Sequence, residues 1–195
     1  MTAKSLKAQL RQERLALRDA IPADARIEMS LAMADLAGDA IDIAPGEIVS
    51  GFFPIRSEVD IRPLMHRLAA RGAKLALPIV QDRQTIVFRE LVAGAPLVDT
   101  GFGTTGPGPE AAVLDPSLLL MPLSVFDDQG NRIGYGAGHY DRAIARLHAK
   151  GMKPRLIGIA FDCQKIDAVP AEPHDVPLDA ILTESGLRQF ERKEA

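Results

Sequence analysis

Apolar residues recur along this chain at two different periods. Leu6, Leu10, Leu17 and Ile21 follow a near-helical spacing that Pro22 ends. The pattern predicts a second helix over residues 23–37, with Ile27, Leu31, Met33 and Ala34 inward and Gly38 as its stop. Residues 48–53 read as a buried strand. Residues 61–70 read as a helix with Pro63 near its start, where a missing N–H costs little. A short strand broken by Pro78 is expected over 75–80, and another, at a sheet edge, over 85–90. Residues 92–117 are rich in glycine and proline and lack periodicity; connections this long are usually functional or mobile. A strand over 118–121, a glycine-rich stretch and a helix reaching about residue 150 come next. The unbroken apolar run 156–161 predicts a central parallel strand, and 180–183 a last short one before a polar tail. Strands alternating with helices place the chain in the α/β class, layered around a mainly parallel sheet.

Composition narrows this picture. A chain of 195 residues is expected to form one domain with a sizeable core. The net charge of −3 gives no global attraction to nucleic acid or to an anionic membrane. Cys163 is the single cysteine, which excludes an internal disulfide and suits a reducing compartment. No apolar stretch of signal-peptide or membrane-spanning type is seen, so a soluble cytoplasmic protein is expected.

The richest chemistry lies in residues 132–142, Arg-Ile-Gly-Tyr-Gly-Ala-Gly-His-Tyr-Asp-Arg, between an apolar strand and a helix. Backbone N–H groups of such a loop can close on an anion at the positive end of a helix. A tight turn using glycine's positive φ is the simpler alternative. Arg132 offers a forked positive group for phosphate oxygens. Asp141 suits magnesium, which takes one or two carboxylates plus phosphate oxygens, or is a first-turn helix acid.

Three further segments stand out. Lys4, Lys7, Arg11, Arg14 and Arg18 fall on one helical face, either solvated or laid across nucleotide phosphates. Phe53 and Glu58 follow a predicted strand, where an apolar wall and an acceptor for a polar heterocycle are well placed; Asp60 reads as a cap for the helix after it. In residues 172–179, Glu-Pro-His-Asp-Val-Pro-Leu-Asp, Asp175 is a candidate second metal carboxylate. His174 invites zinc, but four histidines without paired ligand spacing argue against it. Cys163 reads as a buried small residue. No serine sits in a nucleophile-elbow pattern.

Taken in this order, the four segments resemble the 5-formyltetrahydrofolate cyclo-ligase, or methenyltetrahydrofolate synthetase, family. The resemblance spans nearly the whole chain. Its most specific parts are the Arg-x-Gly-x-Gly-x-Gly-x-Tyr-Asp run from Arg132 to Asp141 and the Glu-Pro-His-Asp-x-Pro-Leu-Asp run from Glu172 to Asp179. It implies a three-layer, Rossmann-like α/β/α fold, usually monomeric, and ATP-driven, magnesium-dependent cyclisation of 5-formyltetrahydrofolate to 5,10-methenyltetrahydrofolate. By matching position, ATP would be held by Lys7, Arg11, Arg132, Gly134, Tyr135, Gly136, Ala137, Gly138, His139 and Tyr140. Lys7 and Arg132 would offset charge on the transferring phosphoryl group. Folate would meet Phe53, Glu58, Tyr135, Gly136, Gly138 and Tyr140, and Asp141 and Asp175 would lie near magnesium. His139 stands where the family more often has tyrosine. Two rival readings are an α/β protein that binds ATP or a sugar phosphate with another substrate, and a non-catalytic nucleotide or folate sensor; the presence of both Asp141 and Asp175 favours an enzyme.

Overall fold

The computed structural model describes residues 2–101, 104–172 and 175–191. Helices α1 (Ala3–Asp19) and α2 (Ala23–Ala40) precede strand β1 (Ile48–Ser50), helix α3 (Arg62–Ala70), β2 (Lys74–Val80) and β3 (Ile86–Glu90). A hairpin of β4 (Leu97–Gly101) and β5 (Thr104–Pro107) leads to β6 (Val113–Leu114) and β7 (Leu118–Pro122). A second, small hairpin, β8 (Val125–Phe126) and β9 (Arg132–Ile133), opens into the glycine-rich loop and helix α4 (His139–Ala149). Then follow β10 (Arg155–Ile159), a 3₁₀ turn over Asp162–Gln164, β11 (Ala180–Thr183) and β12 (Gly186–Gln189).

Eight strands form one sheet in the order β12-β11-β10-β7-β1-β2-β3-β6. The five from β11 to β2 are parallel, and β12, β3 and β6 join antiparallel. Alternation along the central strands builds two cores. Leu118, Leu120, Ile157 and Ile159 face α2 and α3 with Met33, Ala37, Leu64 and Leu68. Leu119, Met121, Leu156 and Ile181 face α4 with Ala143, Ile144 and Leu147. Unbroken apolar runs in these strands are therefore the signature of a sheet covered on both sides, and the architecture is the expected three-layer sandwich.

Strand order also fixes where a ligand fits. From β1 the chain crosses to β2 through α3, and from β7 it crosses the opposite way to β10 through α4. Right-handed crossovers in opposite directions put these helices on opposite faces. The order reverses between β1 and β7, and parallel sheets bind ligands outside the strand ends at such a point. Here β1 stops after Ser50, paired to Ala76 and Leu119, while β2 and β7 run on to Val80 and Pro122. The sheet thus has a notch. Pro78 lies in the stretch of β2 beyond β1, where its missing N–H breaks no ladder on that side, so the strand continues through it rather than breaking.

Other local expectations are corrected. Helix α2 buries Ser30, Met33, Ala34, Ala37 and Gly38, whereas Ile27 and Leu31 are exposed. Gly38 stays inside the helix because α3 approaches closely: an added Cβ would lie 2.8 Å from Arg67 Cδ. Strand β3 is not the sheet edge, since β6 pairs with Phe88 and Arg89. The tail after β11 turns back as β12 instead of leaving the fold. Residues 92–117 hold a hairpin and β6, and Leu17 is exposed on α1.

Candidate active site

The cavity over the notch has a volume of about 750 Å³. Leu77, Pro78, Val80 and Pro122 come from the two longer strands, and Phe52 and Phe53 from the chain leaving β1. Every ligand contact implied by the family resemblance lines it, namely Lys7, Arg11, Phe53, Glu58, Arg132, Gly134, Tyr135, Gly136, Ala137, Gly138, His139, Tyr140, Asp141 and Asp175, whereas Arg14 and Arg18 of the basic face do not. Segments far apart in sequence thus converge on one place. His174 lies outside the described residues.

The loop's shape follows from its glycines and its anchors. Gly136 (φ +98°) and Gly138 (φ +65°) occupy the left-handed region that side chains disfavour. Gly138 is also the N-cap of α4 and supplies no side-chain cap to the helix. Its start is pinned by Ser124 Oγ, which donates to the carbonyls of Ile133 (2.7 Å) and Gly134 (3.1 Å). From the opposite side, Arg11 Nε donates to Gly134 O at 2.7 Å. At the far end, Arg142 donates to Ala137 O and Gln84 O, both at 2.6 Å, and His139 Nε2 lies 3.2 Å from Arg83 O. His139 therefore contacts the β2–β3 turn, a placement that its sequence position alone left open.

Apart from the exposed Lys4, the basic face of α1 is turned into the fold. Lys7 Nζ donates to Glu172 Oε2 and Asp175 Oδ2, both at 2.8 Å. Burial pulls the Lys7 ammonium down, but the two carboxylates outweigh it and leave it above its ordinary value. Arg14 reaches Cys163 O at 3.3 Å, and Arg18 is only 4% exposed. Arg132 donates through Nη1 to Val176 O and through Nη2 to Asp141 Oδ1, at 2.5 Å for the latter. Arg132 thus bridges the neighbourhoods of the two candidate metal carboxylates. Among the described residues no three His, Cys, Asp or Glu side chains cluster to hold a metal by themselves.

Glu58 closes the apolar end. Its carboxylate accepts from Ile55 N (2.8 Å) and from the Tyr135 hydroxyl. Burial raises its pKa above the ordinary 4.5, against the opposing effect of Tyr135, the Ile55 amide and Arg18. Asp60 caps α3 from one residue further out than expected, accepting from Arg62 N at 3.1 Å. The Tyr140 hydroxyl is buried without a hydrogen-bond partner among the described residues, and burial pushes its pKa far up. Sequence reasoning assigned no individual role to Ser57, Glu172 or Arg142 and placed Arg18 only as one member of a basic face, although all four belong to segments that drew notice.

Comparison with known proteins bears on the family and the fold. The profile of the 5-formyltetrahydrofolate cyclo-ligase family matches residues 3–184. A 5-formyltetrahydrofolate cyclo-ligase of Mycolicibacterium smegmatis is 31% identical over 91% of this chain and 93% of its own. That of Haemophilus influenzae is 26% identical over 90% and 96%. The solved 5,10-methenyltetrahydrofolate synthetase of Aquifex aeolicus superposes with a TM-score of 0.78 at 25% identity, covering 97% of this chain and 95% of that one. A Mycoplasma pneumoniae synthetase, at 24% identity and a TM-score of 0.72 over 90% and 97% of the two chains, shares the fold. The chain belongs to the 5-formyltetrahydrofolate cyclo-ligase family.

Proposed function

We propose that this enzyme, acting as a monomer of one domain over residues 1–195, converts 5-formyltetrahydrofolate to 5,10-methenyltetrahydrofolate with ATP and magnesium. The observation that carries the proposal is the convergence of Lys7, Glu58, Arg132, Asp141 and Asp175 around one glycine-rich loop in one cavity. The apolar wall of Phe53 and Leu77 with Glu58 suits a flat polar heterocycle. Arg11, Lys7, Arg132 and the loop amides suit phosphates.

A formyl group on nitrogen is a poor electrophile, and its oxygen is a poor leaving group. In the proposed reaction the formyl oxygen attacks the terminal phosphorus of ATP, and the bond to ADP breaks. The second folate nitrogen then attacks the activated carbon and loses its proton, and phosphate departs. Lys7 and Arg132 offset charge on the transferring group, while the loop from Gly134 to Tyr140 fixes it in line. No covalent nucleophile is needed.

The carboxylates fit magnesium. Asp141 and Asp175 line the same cavity and each already carries a cationic side chain at bonding distance. Phosphate oxygens would compete for Arg132 and Lys7, freeing both carboxylates. Asp141 and Asp175 would then hold a magnesium ion that screens phosphate charge, with water and phosphate oxygens completing its shell. Incubation with 5-formyltetrahydrofolate, ATP and magnesium is expected to produce the methenyl absorbance, with one ADP released per product. Absence of that product under all three additions would overturn the proposal. No helix among the described residues is long and apolar enough to cross a membrane. A cytoplasmic location is proposed with the activity.

A further inference from the structure

Arg18 is the most buried charged side chain on the basic face of α1, and it touches neither phosphate-binding backbone nor candidate metal carboxylate. Its Nε donates to Ser57 Oγ at 2.9 Å, and Ser57 in turn donates to Asp19. Its Nη1 donates to the Tyr135 hydroxyl at 2.6 Å, with the guanidinium carbon 5.9 Å from the centre of that ring. The Tyr135 hydroxyl in turn donates a hydrogen bond to Glu58. Three walls of the cavity meet here: the end of α1, the segment carrying Ser57 and Glu58, and the glycine-rich loop. Tyr135 keeps 44% of its surface exposed, so its inward-turned hydroxyl is what fastens it.

We propose that Arg18 is a positioning residue of the active site: through Tyr135 it ties the glycine-rich loop to Glu58, joining the nucleotide and folate halves of the cavity and keeping Glu58 a hydrogen-bond acceptor. The inference rests on the folate and ATP reading of the cavity. A buried guanidinium favours the ionised form of a carboxylate that burial would otherwise neutralise. The groups facing Glu58 are the Tyr135 hydroxyl from the loop, Arg18 from α1, the Ile55 amide from its own segment, and Tyr140 from α4. An ionised Glu58 accepts from ring N–H groups of folate; a protonated one competes with them as a donor.

Two measurements test the tie. The first is the pH profile of kcat/KM for 5-formyltetrahydrofolate. Activity is lost as pH falls through the Glu58 pKa, so Arg18→Met is expected to move that acid limb upward by about one pH unit, equivalent to a tenfold shift in ionisation. Tyr135→Phe, which removes the intermediate hydroxyl, moves it the same way. Arg18→Lys, keeping the charge, restores most of the parent profile. The second measurement uses the full chain with Tyr140→Phe, where Tyr135 is the sole tyrosine of a protein without tryptophan. Arg18→Met is expected to lower the emission anisotropy of Tyr135 as the loop comes free. An unmoved acid limb together with unchanged anisotropy, whatever the loss in melting temperature, would reduce Arg18 to a packing residue and overturn the proposal. Should Arg18→Met fail to fold, Tyr135→Phe and Arg18→Lys decide the same question. Should the parent form no methenyl product, the proposed function falls, while the anisotropy still decides the tie.

Discussion

Arg132 Nη2 lies 2.5 Å from Asp141 Oδ1, an ion pair that closes the glycine-rich loop into a ring across nine residues. The guanidinium is 7% exposed and the carboxylate 36%, so the pair sits at the cavity wall rather than in open solvent. The same carboxylate is the candidate magnesium ligand, and it keeps the loop shut when no metal draws on it.

Asp141→Asn keeps an oxygen for Arg132 but removes the charge. Methenyl formation is expected to fall by about two orders of magnitude, the scale of losing one electrostatic group at a transferring centre. Circular dichroism should stay that of the parent. Near-normal turnover at limiting magnesium would remove Asp141 from the metal.

Lys7→Ala takes away the cation between Glu172 and Asp175. The apparent KM for ATP is expected to rise about tenfold, since a hydrogen bond to a charged group contributes about 1.5–3 kcal/mol. An unchanged ATP dependence would leave Lys7 as an anchor of α1 alone. The pH response has a definite sign: the folded pKa is raised, so the stabilisation is complete below the ordinary 10.5 and vanishes as pH climbs through the higher folded value. Thermal melts across that range should show a loss in the parent that Lys7→Ala lacks.

Glu58→Gln separates binding from stability. Burial raises this carboxyl, so the folded chain holds the proton more tightly and stability declines as pH rises from the ordinary 4.5 through the folded value. The amide keeps an acceptor for Ile55 N and Tyr135 without carrying charge. At pH 7 the variant is expected to melt at or above the parent temperature while its KM for 5-formyltetrahydrofolate rises. A lower melting temperature with unchanged KM would contradict both halves.

Gly158→Ala tests the core under the site. An added Cβ would meet Leu178 Cδ1 at 2.7 Å and Leu123 Cδ2 and Ile181 Cδ1 at 2.8 Å. Overpacking of this kind costs about 1–3 kcal/mol, visible as an earlier urea midpoint with an unchanged slope. A parent-like midpoint would mean that the three side chains yield freely.

The central sheet was legible because runs such as Leu118–Met121 and Ile157–Ile159 need cover on both faces, which leaves them unbroken in sequence. The glycine loop was legible because its spacing and flanking charges have few other uses. Helix α2 was misread for a physical reason. Hydrophobicity marks Ile27 and Leu31 as inward, but the close approach of α3 selects small residues, and Ala34, Ala37 and Gly38 fill that contact. Strand β12, Gly-Leu-Arg-Gln, carries almost no pattern because it is an edge with one partner. The burial of Arg18 depends on Ser57 and Tyr135, 39 and 117 residues away, and no local rule anticipates it.

The three-residue length of β1 has a wider consequence. Where β1 ends, β2 and β7 carry edges that a longer strand would pair, and the cavity exists because that pairing is forgone. Catalytic space and sheet continuity compete for the same few positions. Substitutions after Ser50 that let β1 zip further would make a sturdier protein and a poorer enzyme, so selection for heat resistance alone should drift toward closing the notch.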